Sequence, residues 1–242
     1  MVSHLKTKKR VILLTTSNRW VGEKVYPVPA RRAGKPSDAS GAEGGDLPKS
    51  TRLAHHIAEL VGGGRVEVIE IPKLNIYPCE GNVSTARGNT CGEKAAVLKD
   101  PEKNPTGHHR CWASINNPDD ELWKVSKPLL AADAVVFFGS VRWGQMNGFY
   151  QKLIERLTWL ENRHSTFGED NLLADKDAGI VVVGQNWNGG EVLRTQKQVL
   201  GYFGFHVVDD LCFNWQFTDD ASDESDESYK AAVSAFEQTF GL

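Results

Sequence analysis

The run Ser140-Val141-Arg142-Trp143-Gly144-Gln145-Met146 brings together a flat aromatic, a cation and a glycine, the parts needed to wrap a planar anionic ligand. A second run, Gly184-Gln185-Asn186-Trp187-Asn188-Gly189-Gly190-Glu191, offers polar side chains and paired glycines. These let backbone approach a ring system and hydrogen-bond its edge. The same glycines also suit an ordinary turn, where they supply only positive φ. Ser17 and Arg19, with Ser50 and Thr51 farther along, are hydroxyls and a cation suited to a phosphate. Ser50 and Thr51 would serve equally as a helix N-cap.

The elements flanking these runs make them candidates for one site. Ala134–Phe138 has the composition of a strand buried on both faces and breaks at Gly139-Ser140. After it, Met146, Phe149, Tyr150, Leu153, Ile154, Leu157 and Leu160 recur at i, i+3, i+4, i+7, the stripe of an amphipathic helix. Further strand candidates are Val11–Thr15, Val66–Ile71, Gly179–Val183 and Phe205–Val208. Helical patterns at Leu53–Leu60, Trp123–Leu130, Val192–Tyr202 and Tyr229–Phe240 separate or follow them. This alternation predicts an α/β fold with a parallel sheet between two helical layers. Five strands favour the flavodoxin-like order 2-1-3-4-5, which binds its ligand where the winding reverses. A single domain over 1–242 is expected, with long insertions at about 20–48 and 72–118, both lacking an apolar period.

The Ser140–Met146 segment resembles the second flavin-binding loop of the flavodoxin-like NAD(P)H-dependent FMN reductases and quinone reductases. There a strand ends in T-P-x-R/Y-W-G-x. Arg142, Trp143 and Gly144 match that pattern, as do Lys152 and Glu155-Arg156 in the helix, while Ser140 stands where the family has proline. The resemblance implies that Ser17, Arg19, Ser50 and Thr51 hold the FMN phosphate, in a loop split by the first insertion. It also implies that Ser140 to Met146, with Gln185, Asn186, Trp187, Gly189 and Gly190, line the isoalloxazine. Arg142 and the loop amides would favour negative charge on the reduced ring.

Asn75-Ile76-Tyr77-Pro78-Cys79 resembles the start of the cysteine motif in the superfamily's iron–sulfur branch, but Asn82 occupies the second cysteine position. Cys79, Cys91 and Cys111 with His108 and His109 lack the paired spacing of a zinc site. No metal is expected, and 72–118 reads as a structural or lid segment near the flavin.

The net charge of −3 and a pI near 6.2 give no reason to expect nucleic acid as a partner. No apolar run is long enough to span a membrane, and four dispersed cysteines suit a reducing cytoplasm. The expected function is an FMN-dependent NAD(P)H oxidoreductase that takes electrons from NADPH or NADH. It would reduce a quinone or similar small acceptor by ping-pong hydride transfer. The alternative is a flavodoxin-type electron carrier with protein partners, which an acidic surface usually steers. Tryptophans in loops, Trp143, Trp187 and Trp215, suit a homodimer or homotetramer whose subunits complete the pocket.

Overall fold

The computed structural model describes residues 1–18, 47–185, 187–216, 218 and 225–242. Seven strands form its sheet: Val11–Thr15 (β1), Val66–Glu70 (β2), Ala134–Arg142 (β3), Gln145–Met146 (β4), Asp177–Gly184 (β5), His206–Val207 (β6) and Phe213–Gln216 (β7). The backbone order is β2-β1-β3-β5-β6, with β4 hairpinned onto β3 and β7 also paired with β5. Apart from the β3–β4 hairpin every pairing is parallel. With the hairpin strand set aside, this is the flavodoxin-like order 2-1-3-4-5.

Alternation along the strands explains the three layers. Ile12 and Leu14 of β1, Val135 and Phe137 of β3, and Ile180 and Val182 of β5 share one core. Packed there are Val125 and Leu129 of Trp123–Ala131 (α4), Leu153, Leu157 and Leu160 of Gly148–Ser165 (α5), and Val192 and Leu200 of Gly189–Tyr202 (α6). Val11, Leu13, Val136, Phe138, Val181 and Val183 point the other way. They meet Leu53 and Ile57 of Lys49–Val61 (α2) and Phe236 of Asp226–Phe240 (α7). β1 and β5 are buried end to end, which is why they read as unbroken apolar runs, whereas the edge strand β2 is only half-buried.

Three expectations need correction. Strand three does not stop at Gly139 but runs to Arg142, and the chain returns as β4 after a two-residue turn. Met146 therefore belongs to a strand, paired with Val141, and α5 begins at Gly148. The fifth strand is split: β6 covers only His206–Val207, a short 3-10 turn at Asp209–Leu211 follows, and β7 resumes the pairing. Gly179 explains the break, because a Cβ there would lie 2.2 Å from the Leu211 Cβ and 2.3 Å from its carbonyl oxygen. The turn rests on the bare backbone of β5.

The 72–118 segment is not wholly irregular. It holds a 3-10 turn at Lys94–Ala96 and a short helix, Trp112–Asn116 (α3), and it is pinned to α5. Arg156 donates to the Tyr77 carbonyl, Asn89 to the Asn162 side chain, and Arg163 to the His108 carbonyl. A Cβ on Gly92 would sit 2.7 Å from the Trp159 carbonyl oxygen, so α5 and the segment meet backbone to backbone there. At about 1.5 Å rise per residue, Trp159 is about 16 Å along the helix from Gly148. These contacts run from Arg156, midway along α5, to Arg163 near its end, away from the strands' carboxyl ends, so the segment braces this helix.

Candidate functional site

The carboxyl ends of β1 and β3 mark the point where the winding reverses, and the loops gathered there come from distant parts of the chain. Beyond β1, Thr16 and Ser17 are buried, and the Ser50 hydroxyl donates to the Ser17 hydroxyl at 2.7 Å. The two halves of the interrupted loop thus meet. Neither Ser50 nor Thr51 is an N-cap: Pro48 holds that position and Lys49 starts the helix, with no side chain capping it. The Thr51 hydroxyl, 1% exposed, has no hydrogen-bond partner among the described residues. A buried hydroxyl left unpaired costs about 1–3 kcal/mol. At the positive end of a 13-residue helix, beside two more hydroxyls, it fits an anion. Arg19 lies outside the described residues.

Asn147, which sequence reasoning passed over, joins this corner to the next. Its side-chain oxygen caps α5 by accepting from the Phe149 and Tyr150 amides. Its side-chain nitrogen donates to the Thr16 hydroxyl at 3.2 Å and to the Ser140 hydroxyl at 3.4 Å. A Cβ on Gly139 would come within 2.4 Å of the Met146 methyl and 2.7 Å of the Thr16 hydroxyl, so only glycine lets β1, β3 and the hairpin close so tightly. An asparagine before an apolar helical period is a recognisable capping signal. Its reach to Thr16 is not.

The hairpin turns on Trp143 (φ +51°) and Gly144 (φ +69°), the two positive angles of a type I′ turn. Its seven candidate residues divide by pleat. Val141 and Met146 face inward and are buried, while Arg142, Trp143 and Gln145 are exposed and Ser140 and Gly144 are half-buried. Trp143 is 84% exposed. After β5, Gln185 is half-buried, Asn186 lies outside the described residues, and Trp187 is 49% exposed. The Trp143 and Trp187 rings meet edge to face, centroids 5.4 Å apart at 79°. The Asn188 side chain donates to the Gly144 carbonyl at 2.9 Å.

The paired glycines have different reasons. A Cβ on Gly189 would fall 2.2 Å from the Gln216 amide nitrogen and 2.6 Å from the Asn214 side-chain oxygen, so its smallness serves the packing of β7. Gly190 faces open space. A groove of about 520 Å³ between β2 and α4, with Ile69, Trp123 and Lys127 in its walls, includes no residue of these three loops.

Outside the crevice, His109 accepts or donates to Ser126 at 2.6 Å and Ser114 at 2.9 Å and lies 5.1 Å from the Trp159 ring, in the brace between 72–118 and α5. Burial lowers its pKa to about 4. Burial likewise pushes the Cys91 thiol up to about 12, an inert position for a thiol. Among the described residues no helix is long and apolar enough to cross a membrane.

The model of the NADPH-dependent FMN reductase family matches residues 48–220. Among solved structures, RosB with bound 8-demethyl-8-formylriboflavin-5'-phosphate is similar at 14% identity, covering 96% of this chain and 76% of that one, with a TM-score of 0.53. The azoreductase AzrA is similar at 15% identity, covering 96% and 97%, with a TM-score of 0.50. An azoreductase from Bacillus anthracis str. Sterne shares 14% identity over 96% and 97%, at 0.49. No curated protein matches the chain in sequence.

Proposed function

The chain belongs to the NADPH-dependent FMN reductase family, as an NAD(P)H-dependent flavin oxidoreductase with FMN as its cofactor, and on that premise we propose that it reduces a quinone or similarly flat small acceptor. When bound, FMN supplies the two-electron chemistry between NADPH and the acceptor. The residues present fit that group: a buried Thr51 hydroxyl, unpaired among the described residues, stands beside the Ser17–Ser50 bond at one end of the crevice. Exposed aromatics and polar loops stand at the other.

Ser17, Ser50 and Thr51 bind the phosphate with the amides of the α2 terminus, with Arg19 completing the loop. Arg142 and Gln145, carried outward on the hairpin, and Gln185 with Asn186 on the facing loop orient the ring's polar edge. Val141 and Met146 keep the hairpin seated through buried side chains, so their part is support. Ser140 and Gly144 contribute backbone.

One observation carries the acceptor class: the exposed edge-to-face pair of Trp143 and Trp187. Leaving two indoles in water forgoes roughly 1.5–3 kcal/mol of burial for a large apolar side chain. A flat ring laid against them recovers part of it. A single aromatic rim admits donor and acceptor in turn, which supports a ping-pong order in which NADPH or NADH binds first and leaves in its oxidised form before the acceptor enters.

The same tryptophans support a homodimer or homotetramer in which a second copy walls the pocket. Trp215 does not join them, because it lies on β7 within its own cluster of Phe213, Phe236 and Phe240. Scattering that returns a mass near one chain, 26.8 kDa, overturns the assembly. The free thiols Cys79, Cys91, Cys111 and Cys212 support the reading of a reducing, cytoplasmic setting.

Anaerobic mixing of FMN-loaded protein with NADPH tests the reaction. Rapid loss of the yellow flavin absorbance, restored by a quinone, supports the enzyme. Protein that stays yellow until a separate reductase is added is an electron carrier.

A further inference from the structure

Asn188 occupies the N-cap of α6 but does not cap it. An asparagine there ordinarily turns its side-chain oxygen onto the helix's first amides, which stabilises a helix by roughly 0.5–2 kcal/mol. Here the backbone adopts φ +61°, ψ 15° and the side chain makes no cap hydrogen bond. Its nitrogen instead crosses to the neighbouring loop and donates to the Gly144 carbonyl at 2.9 Å. The fit is close: a Cβ on Gly144 would lie 3.5 Å from both the Asn188 Cβ and its side-chain nitrogen. Asn188 follows Trp187 directly, and Gly144 follows Trp143. The bond therefore ties together the two residues adjoining the tryptophans, which touch edge to face at 5.4 Å while both stay exposed.

We propose that Asn188 is a positioning residue of this enzyme: its amide latches the β3–β4 hairpin to the β5–α6 loop and so preforms the Trp143–Trp187 pair as the wall against which a planar acceptor stacks. The proposal rests on reading this crevice as the flavin site. The latch explains what a cap does not, namely why a residue of capping type is diverted and how a bulky indole at positive φ meets a second indole at a solvent-exposed tip. Preorganisation of this kind shows in binding, since the ordering of both loops is settled before the ring arrives.

The test uses the full chain with Asn188→Gly, which accommodates the positive φ and removes the amide together with its Cβ, and Trp187→Leu as reference. Two indoles this close couple, giving a paired band in far-ultraviolet circular dichroism of the protein without flavin. Trp187→Leu defines the loss of that band, and Asn188→Gly is expected to lose it as well. With FMN bound, the KM for menadione should rise about fivefold to tenfold, the scale of one lost aromatic contact. The KM for ferricyanide, which has no ring to stack, should change less than about twofold, as should the FMN Kd. A band that survives in Asn188→Gly overturns the latch, and a lost band with an unchanged menadione KM overturns its role with the acceptor. Wild-type protein that binds no FMN overturns the flavin reading itself, seen before any variant is compared.

Discussion

Arg156 and Asp120 form a two-pronged ion pair with both side chains wholly buried, each guanidinium nitrogen 2.8 Å from its own carboxylate oxygen. The Ser114 hydroxyl donates to the same carboxylate and accepts from Arg156. The Tyr77 amide donates to Asp120, and the Tyr77 carbonyl accepts from Arg156. Burial works against the charged carboxylate, but the Arg156 hydrogen bonds and charge, with the Ser114 and Tyr77 hydrogen bonds, together outweigh it and hold the Asp120 pKa below its usual value. Arg156 lies in α5, and its partners lie within or just after the 72–118 insertion.

Removing one partner of such a pair leaves a buried charge uncompensated and costs about 3–5 kcal/mol. Asp120→Asn and Arg156→Met should each lower stability by that order in urea denaturation. Asp120→Leu combined with Arg156→Met should recover much of the loss, because a well-packed apolar replacement has no charge to strand. Single variants within about 1 kcal/mol of wild type would show that water reaches the pair.

Asp177 gives a second electrostatic expectation, at the opposite end of the strands from the crevice, where β5 begins. It accepts from His4 and His206, each at 2.7 Å, and pairs with Lys8. Burial would raise its pKa, but the Lys8, His206 and His4 hydrogen bonds prevail and hold it at about 2. The unfolded carboxyl titrates near about 3.9. A depressed folded value means stability fully present above about 4 and lost as pH falls toward about 2. Asp177→Asn should therefore be less stable than wild type above about pH 4, with the gap closing on acidification. A gap constant across that range would show that the contacts do not hold in solution.

How far these features could be read beforehand follows from their range along the chain. β1, β3 and β5 were legible because burial on both faces leaves a continuous apolar run. The fifth strand was legible only in its first piece, since β6 lies within the expected Phe205–Val208, while β7 alternates Phe213 and Trp215 with Asn214 and Gln216 and was not anticipated. Its break depends on Leu211 resting over Gly179, a contact no local pattern announces. Met146 misled for a different reason: its spacing continues the α5 stripe although its backbone pairs with Val141. Composition and the family resemblance put three loops at strand ends; the middle one is instead largely the β3–β4 hairpin, and the residues that join the three escaped notice. Asn147 reaches Thr16 and Asn188 reaches Gly144 across long separations in sequence, and an asparagine looks alike whichever contact it makes.

Thr51 separates binding from folding at the phosphate end. Its hydroxyl is buried and has no partner among the described residues, so in the protein without flavin it contributes desolvation cost. Thr51→Val keeps the shape and removes that group, which should leave thermal stability unchanged or slightly higher. A hydrogen bond to a charged group is worth about 1.5–3 kcal/mol, so the FMN Kd should weaken by about tenfold or more. Flavin fluorescence titration measures it. Unchanged affinity would place the phosphate elsewhere.

Trp143 should show stability traded for a binding surface. A type I′ turn needs positive φ at both central positions, which Asn-Gly supplies readily and Trp-Gly does not. With φ at +51°, Trp143 is held where its Cβ crowds the following carbonyl oxygen at about 1–2 kcal/mol, a cost asparagine offsets by local side-chain hydrogen bonding, and at 84% exposure it regains little by packing. Trp143→Asn retains the turn and relieves the strain. It should raise stability by about 1 kcal/mol, or a Tm about 2–4 °C higher at this chain length. The same change removes half of the aromatic pair, so the KM for a flat acceptor should rise several-fold as the protein becomes more stable. Calorimetry and acceptor titration on one preparation give both signs. If stability and acceptor affinity fall together, Trp143 is holding the hairpin rather than receiving a ligand.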